Sequence, residues 1–188
     1  MATSFTFTEH DVQEEFFARG WTDGLPVVPP TPDRVEEMLG FAGVTVGDVV
    51  GSVPERSRNI TAEKAAINAV MAGCEPQHFP VVLAGIAAMC DPAFGCNTAV
   101  TSTGGAALCL AVSGPNLEAL GLNANRNALG PGYRANATIG RAMRLVAMNV
   151  LGARSNYLDG SSIGHPGKYT MLVAEDSPPE GWEPLRVE

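Results

Sequence analysis

Hydrophobic positions recur with helical spacing at several places along the chain. In residues 137–151, Ile139, Ala142, Met143, Val146, Ala147 and Val150 follow one another at intervals of three, one, three, one and three. That is a single apolar stripe on a helix, and Gly152 stops it. Thr61 precedes AEKAAINAVMAG, so a capping hydroxyl at one end and Gly73 at the other frame a second helix. A run from Pro76 through VVLAGIAAMC to Cys90 is apolar on nearly every face and predicts a helix central to the core. Upstream, Thr8 as cap, Asp11 in the first turn and Gly20 at the end define a helix over HDVQEEFFARG. Thr31-Pro32 opens another that closes at Gly40.

Shorter apolar runs predict strands. Residues 25–28, stopped by Pro29-Pro30, suit an edge strand after a turn at Asp23-Gly24. Residues 46–53 predict a strand interrupted by Gly47 and Gly51. Residues 97–113 predict two short strands about Gly104-Gly105, and 168–174 a late strand. Residues 115–120 form a short helix or turn. The loop over 121–136 holds four Asn and three Gly, and loops of this length are often functional. The expected fold class is α/β, with α+β as the variant: a small mixed sheet packed by about five helices. One domain spans 1–176. The remainder, 177–188, reads SPPEGWEPLRVE, with three prolines, a Trp and no periodicity, and is expected to be an extended C-terminal arm. No internal repeat is visible.

Composition narrows the class of protein. Of 188 residues, 45% are apolar and 17% charged, a globular balance. At this size folding buries roughly 70% of the unfolded surface. A net charge of −8 argues against nucleic acid and anionic membrane as partners. No apolar run approaches the ~20 residues of a membrane span. MATSFTFTEHDVQEEFF has no basic stretch followed by an apolar one, so no signal peptide is expected and the location is cytoplasmic. Cys74, Cys90, Cys96 and Cys109 are then four reduced thiols with no disulfide.

The charge is unevenly placed. Arg126, Arg134, Arg141, Arg144 and Arg154 lie in a stretch, 119–158, that contains no Asp or Glu. Either acids elsewhere in the fold balance it or a bound anion does. GPGYRANATIGRA leads into a helix N-terminus, where unpaired amides and the helix dipole favour an anion. The expected ligand is a small carboxylate or phosphate. Gly130 and Gly132 would let the backbone approach it and Arg134 would grip it through two parallel bonds. Asn125, Arg126, Asn136 and Thr138 complete the candidate substrate-binding set, with Asn136 or Thr138 as cap. Arg141 and Arg144 fall off the apolar stripe and read as solvated charges. The spacing is not that of a dinucleotide fingerprint.

Three further residues are candidates for chemistry. Cys96, in a Gly-containing loop, is the thiol expected to be accessible, whereas Cys74 and Cys109 suit buried settings. Ser102, in Thr101-Ser102-Thr103-Gly104-Gly105, could be a nucleophile beside oxyanion-holding amides; the same residues also make a simple hairpin turn. His165, in DGSSIGHPGK with Asp159 and Lys168 nearby, could be a general acid or base. His10 and His78 sit near helix ends and read as structural. The Cys spacing is not CxxC and no His stands at zinc-ligand spacing, so no metal site is expected. No cofactor is indicated.

The segments TDGLPVVPPTPDRVEEML, AEKAAINAVMAGC, GPGYRANATIGRAMRL and PGKYTMLVAED resemble a poorly characterised bacterial family encoded beside small UGSC-type thiol or selenol proteins. The resemblance covers almost the whole chain, and RANATIGRA is its most specific part. It implies redox or thiol-assisted chemistry, with this chain similar to the substrate-binding partner. It also implies a longer family protein, of which this chain resembles the N-terminal half. A His-Pro pair of the family is replaced here by the Thr101–Gly105 segment. Two functions therefore compete. One is an enzyme subunit that binds a small organic anion while a separately encoded second subunit completes a lyase, hydratase, hydrolase or thiol-assisted reductase reaction, with assembly around a homodimer core as a variant. The other is a non-catalytic binding or scaffolding subunit.

Overall fold

The computed structural model describes residues 9–185, with the side chains of Glu9 and His10 left out. The Thr8 cap, the side chain of His10 and the last three residues of the arm lie outside the described residues. Among the described residues the chain is a mixed α/β fold with six α-helices and two separate two-stranded sheets, where the sequence predicted one small sheet.

Helix α1 (Glu9–Ala18) is followed by a reversal at Gly20 (φ 65°), which brings Trp21 edge-on to Phe16 with ring centroids 5.4 Å apart. Residues 25–28 form no strand. The Gln13 side-chain amide takes the place of a neighbouring strand: its Nε2 donates to the Val27 carbonyl at 2.7 Å and its Oε1 accepts the Val27 amide at 2.9 Å. Helix α2 (Pro32–Ala42) continues past Gly40 and ends at Gly43, whose left-handed conformation closes the cap.

Strands β1 (Val49–Val53) and β2 (Arg58–Thr61) form an antiparallel hairpin. β2 was not expected. Its RNIT sequence is short and half polar, and it is a strand because β1 pairs with it. Thr61 then caps helix α3 (Ala62–Ala72), its hydroxyl accepting the Lys64 amide at 3.3 Å, and Gly73 ends it. Helix α4 (Phe79–Met89) buries Phe79, Val82, Ile86 and Met89 but exposes Pro80, Ala84, Ala87 and Ala88. It is therefore a boundary helix with a small-residue outer face, and the expectation of a fully buried central helix is corrected.

Residues 97–113 also differ from expectation. Helix α5 (Cys96–Thr101) occupies the first part, and only β3 (Leu110–Ser113) is a strand. The Thr101 hydroxyl donates back to the Asn97 carbonyl at 2.5 Å, within the helix. The predicted hairpin does not form because β3 pairs in parallel with β4 (Leu172–Glu175), across helix α6 (Arg134–Asn149).

Helix α6 starts one turn earlier than its apolar stripe. Every residue of that stripe from Ile139 to Val150 is buried. It packs most extensively against α3, whose Ala62, Ala65, Ala66 and Ala69 are fully buried and allow the two helices to approach closely. Full burial of Ile139, Leu145 and Val146 contributes roughly 1.5–3 kcal/mol each. On its other side α6 meets the segment entering β4. A Cβ at Gly140 would stand 2.6 Å from Thr170 Oγ1 and 2.9 Å from the Met171 nitrogen, so only glycine permits this contact. No helix among the described residues is long and apolar enough to cross a membrane.

Candidate functional site

At the start of α6 the residues expected to bind an anion hold the fold together. Arg134 donates to the Gly73 carbonyl at 3.0 Å and to Glu75 at 2.8 Å, tying α6 to the α3–α4 connection. Asn136 is buried inside the helix and does not cap it. Its side chain accepts the Asn123 amide at 2.8 Å and donates to the Asn123 carbonyl at 3.0 Å, which pins the long loop. Thr138 likewise lies inside the helix and donates to the Arg134 carbonyl at 2.9 Å. Asn125 and Arg126 are exposed on that loop, and Gly132 supplies a turn at φ 115°. Close by, buried His78 accepts the Glu75 amide at Nδ1 and bonds the Leu120 carbonyl at Nε2, 3.1 Å in each case. Burial lowers its pKa, more than Glu75 and the Leu120 carbonyl raise it, so it stays a neutral structural ring.

The other end of α6 is different. Arg144 lies ten residues, about 15 Å, along the helix from Arg134. It faces a cleft of about 850 Å³, within the size range of small-molecule sites. Arg141 and Arg144 are not solvated charges: each side chain is only 14% exposed. Arg141 forms a two-pronged pair with Asp23, Nε to Oδ2 and Nη2 to Oδ1, both 2.8 Å, and its Nη2 also reaches the Leu25 carbonyl at 3.2 Å. This pair anchors the 22–25 turn as one wall of the cleft. Burial would raise the Asp23 pKa, but its bonds to Arg141 outweigh burial and hold it below the ordinary value.

The facing wall is the 155–169 loop, centred on Asp159. This carboxylate is buried and accepts from Lys168 Nζ at 2.7 and 2.8 Å, from Arg144 Nη2 at 3.0 Å and from the Ser161 hydroxyl at 2.6 Å. Burial pushes its pKa up. The bonds from Lys168, Ser161 and Arg144 override that and bring it down to about 2, so it is a carboxylate at neutral pH.

The donors around Asp159 are unequally engaged. Lys168 uses all three N–H bonds, two on Asp159 and one on Ser161 Oγ at 2.5 Å. Its nitrogen donates to Ser161, so it is not placed to take that hydroxyl's proton. The Ser161 hydroxyl has one proton and two acceptors, Asp159 and the Gly104 carbonyl at 2.6 Å. Arg144, by contrast, commits one of its five N–H bonds to Asp159, and the other four have no partner among the described residues. None of its nitrogens is both sealed from solvent and unbonded. On its inner side the same cluster borders a small cavity of about 30 Å³ lined by Ala99, Val100 and Leu108.

Two segments singled out in the sequence meet here. The Ser162 amide donates to the Thr103 carbonyl at 3.2 Å, and a Cβ on Gly105 would lie 3.1 Å from the Gly164 carbonyl oxygen. The Thr101–Gly105 segment thus backs the 159–168 loop. Ser102 itself closes a turn by accepting the Gly104 amide at 3.2 Å. His165 lines the cleft, and its Nδ1 accepts the Gly167 amide at 3.0 Å, which leaves Nε2 to carry the proton of the neutral ring. Asp159 and Lys168 stand beside His165 in sequence, whereas Arg144 and Asp23 join them only in the fold. A signal was available, since Asp159 is the only carboxylate between Glu118 and Glu175.

The thiols require a correction. Cys96 is buried, and burial together with the neighbouring Cys90 pushes its pKa up to about 11, with Arg56 offsetting only part of the rise. Cys74 is higher still at about 12, through burial. Cys109, expected to be buried, is the exposed one. Under native conditions Cys109 is therefore expected to react first with iodoacetamide, well before Cys96 and Cys74, as followed by peptide mass spectrometry over time. Labelling of Cys96 first would contradict this placement. The chain finds no match among known family models, curated proteins or solved structures.

Proposed function

We propose that the protein is a subunit of a multi-component bacterial enzyme and holds a small anionic organic molecule in the cleft between the 22–25 turn and the 155–169 loop. The observation that carries this is Arg144: a guanidinium with four uncommitted N–H bonds, beside a second cation, lining a cleft of ligand size. Such a fork is suited to bidentate capture of an anionic group. The family resemblance to a substrate-binding partner of thiol or selenol proteins agrees with it.

Completion by a second subunit is supported at the cleft mouth. Phe17, Ile163 and Tyr169 are exposed apolar side chains on its lining, Ile163 at 97%. Trp182 on the arm is 74% exposed. Aromatic side chains of this kind are enriched at interface cores. The alternative, a binding subunit without catalysis of its own, is favoured by one feature: Lys168 and Ser161 are mutually engaged, so neither is free to act on the ligand.

The binding claim is tested by screening small organic acids and phosphate esters by thermal shift and titrating the best ligand by calorimetry. A charge-assisted bond contributes roughly 1.5–3 kcal/mol. Arg144→Ala is therefore expected to weaken binding about ten- to a hundredfold, and Arg134→Ala to leave it unchanged. The reverse result would return the site to the start of α6. For the second subunit, the chain is co-expressed with the products of neighbouring genes and sized by light scattering. A fully active 19.6 kDa monomer would sink that part of the proposal. Deleting residues 177–188 is expected to break the complex and leave the fold intact.

A further inference from the structure

We infer that the cleft selects a monoanionic carboxylate carrying an apolar body and discriminates against dianions such as phosphate esters; this rests on the anion-binding reading above. Asp23, Arg144, Asp159 and Lys168 line the cleft, and Arg141 backs Asp23 from outside the lining. On one wall Asp23 and Arg141 cancel, through two bonds of 2.8 Å. On the other, Arg144 and Lys168 share the single carboxylate Asp159. Leaving His165 out of the count, these groups carry one uncompensated positive charge. A carboxylate brings that excess to zero. A dianion leaves one negative charge unbalanced in a site whose walls already contain two ionised carboxylates, each with a side chain no more than 6% exposed. Like charges are poorly screened in such a setting.

The remainder of the lining describes the rest of the molecule. Phe17, Met148, Ile163 and Tyr169 present apolar surface around the charged centre, and Thr22, Ser155, Ser161 and His165 supply its polar part. A volume of about 850 Å³ exceeds what acetate or a free phosphate ion would fill. The ligand is then an aryl or branched-alkyl carboxylic acid, with its carboxylate on the Arg144 fork and its apolar part against Phe17, Met148 and Tyr169.

The test compares four probes on the full chain by titration calorimetry at pH 8, where phenyl phosphate, with a second pKa near 6, is a dianion. The probes are phenylacetate, phenyl phosphate, acetate and benzyl alcohol. Phenylacetate is expected to bind at least tenfold more tightly than each of the others. Asp159→Asn, which raises the excess charge to two, is expected to shift the phenylacetate-to-phenyl phosphate preference at least tenfold toward the phosphate. Tighter or equal binding of phenyl phosphate by the unmodified chain would overturn the carboxylate assignment while leaving an anion site in place. Equal binding of acetate would overturn the apolar-body assignment. Absence of binding by both phenylacetate and phenyl phosphate would overturn this inference together with the anion-binding reading. Because the unmodified chain decides these outcomes, the test survives a variant that does not fold.

Discussion

Replacing Asp159 by alanine is expected to destabilise the fold by about 3 kcal/mol, the low end of the range for removing one partner of a buried ion pair. Two cations would lose their shared counter-ion, Arg144 and Lys168, whose side chains are only 14% and 15% exposed. The low end applies because both heads border the cleft, where water can partly solvate them. Urea unfolding at pH 7 measures the loss. Adding Lys168→Met to the variant is expected to recover part of it, since one stranded charge disappears. The same carboxylate predicts an acid limb. Its folded pKa of about 2 lies below the ordinary 3.8, so its contribution is fully present above that ordinary value and is lost as pH falls from there through about 2. The depression corresponds to roughly 2 kcal/mol. Stability of the unmodified chain should therefore fall between pH 4 and pH 2, more steeply than that of Asp159→Ala. Coincident urea midpoints for the two proteins at pH 7 would show that the cluster does not hold the fold.

Asp23→Ala is expected to cost a comparable amount, about 3 kcal/mol, through the guanidinium it would strand. Its side chain is 4% exposed, and both its oxygens are held by Arg141, a pairing with less access to water than the Asp159 cluster. The loss has a second consequence. The 22–25 turn is fastened to α6 by this pair and by the Arg141 bond to the Leu25 carbonyl, so the cleft would lose one wall. Ligand affinity should fall although Asp23 does not grip the carboxylate: the lost wall outweighs the freed charge of Arg141, which stands outside the cleft lining. A double-mutant cycle with Arg141→Met separates the effects: the double variant should be more stable than Asp23→Ala alone, because no charge is stranded, while ligand affinity stays low. Additive stability losses would mean that the two side chains act independently.

Parts of the site could be seen in the sequence and parts could not. His165 was legible because it sits in a Gly- and Ser-rich loop with Asp159 and Lys168, all within a few residues. Arg134 and Arg144 look alike in sequence, two arginines on one helix in an acid-free stretch, yet they differ in role. Arg134 meets Glu75, 59 residues away, and Arg144 meets Asp159 at the mouth of a cleft. Arg141 finds its partner 118 residues upstream. Spacing along one helix carries no information about which carboxylate arrives opposite it. Burial of the thiols was misjudged for a related reason. Cys96 follows a glycine and Cys109 stands between two leucines, which suggests the opposite of what is found: the packing of α5 covers Cys96, and Cys109 is exposed just before β3.

The sequence by itself determined most of the helices, though it reads α5 as strand and stops α2 short at Gly40. Thr61 and Gly73 bound α3, the Ile139–Val150 stripe lies on the buried face of α6, and Pro32 opens α2. Helical bonds join residues four apart, so the cap, the stripe and the stop all lie within the segment they govern. Tertiary structure alone decided the strands and the cleft. β3 is a strand because β4, some sixty residues later, lies beside it in register. Residues 25–28 are not a strand because the Gln13 amide occupies the place of a partner. The cleft draws on the end of α1, the 22–25 turn, the last turns of α6 and the 155–169 loop. Its charge excess comes from two cations and one carboxylate brought together from two of those positions, α6 and the 155–169 loop. Pairing across such distances depends on where the packed core sends each segment, and no local pattern encodes that.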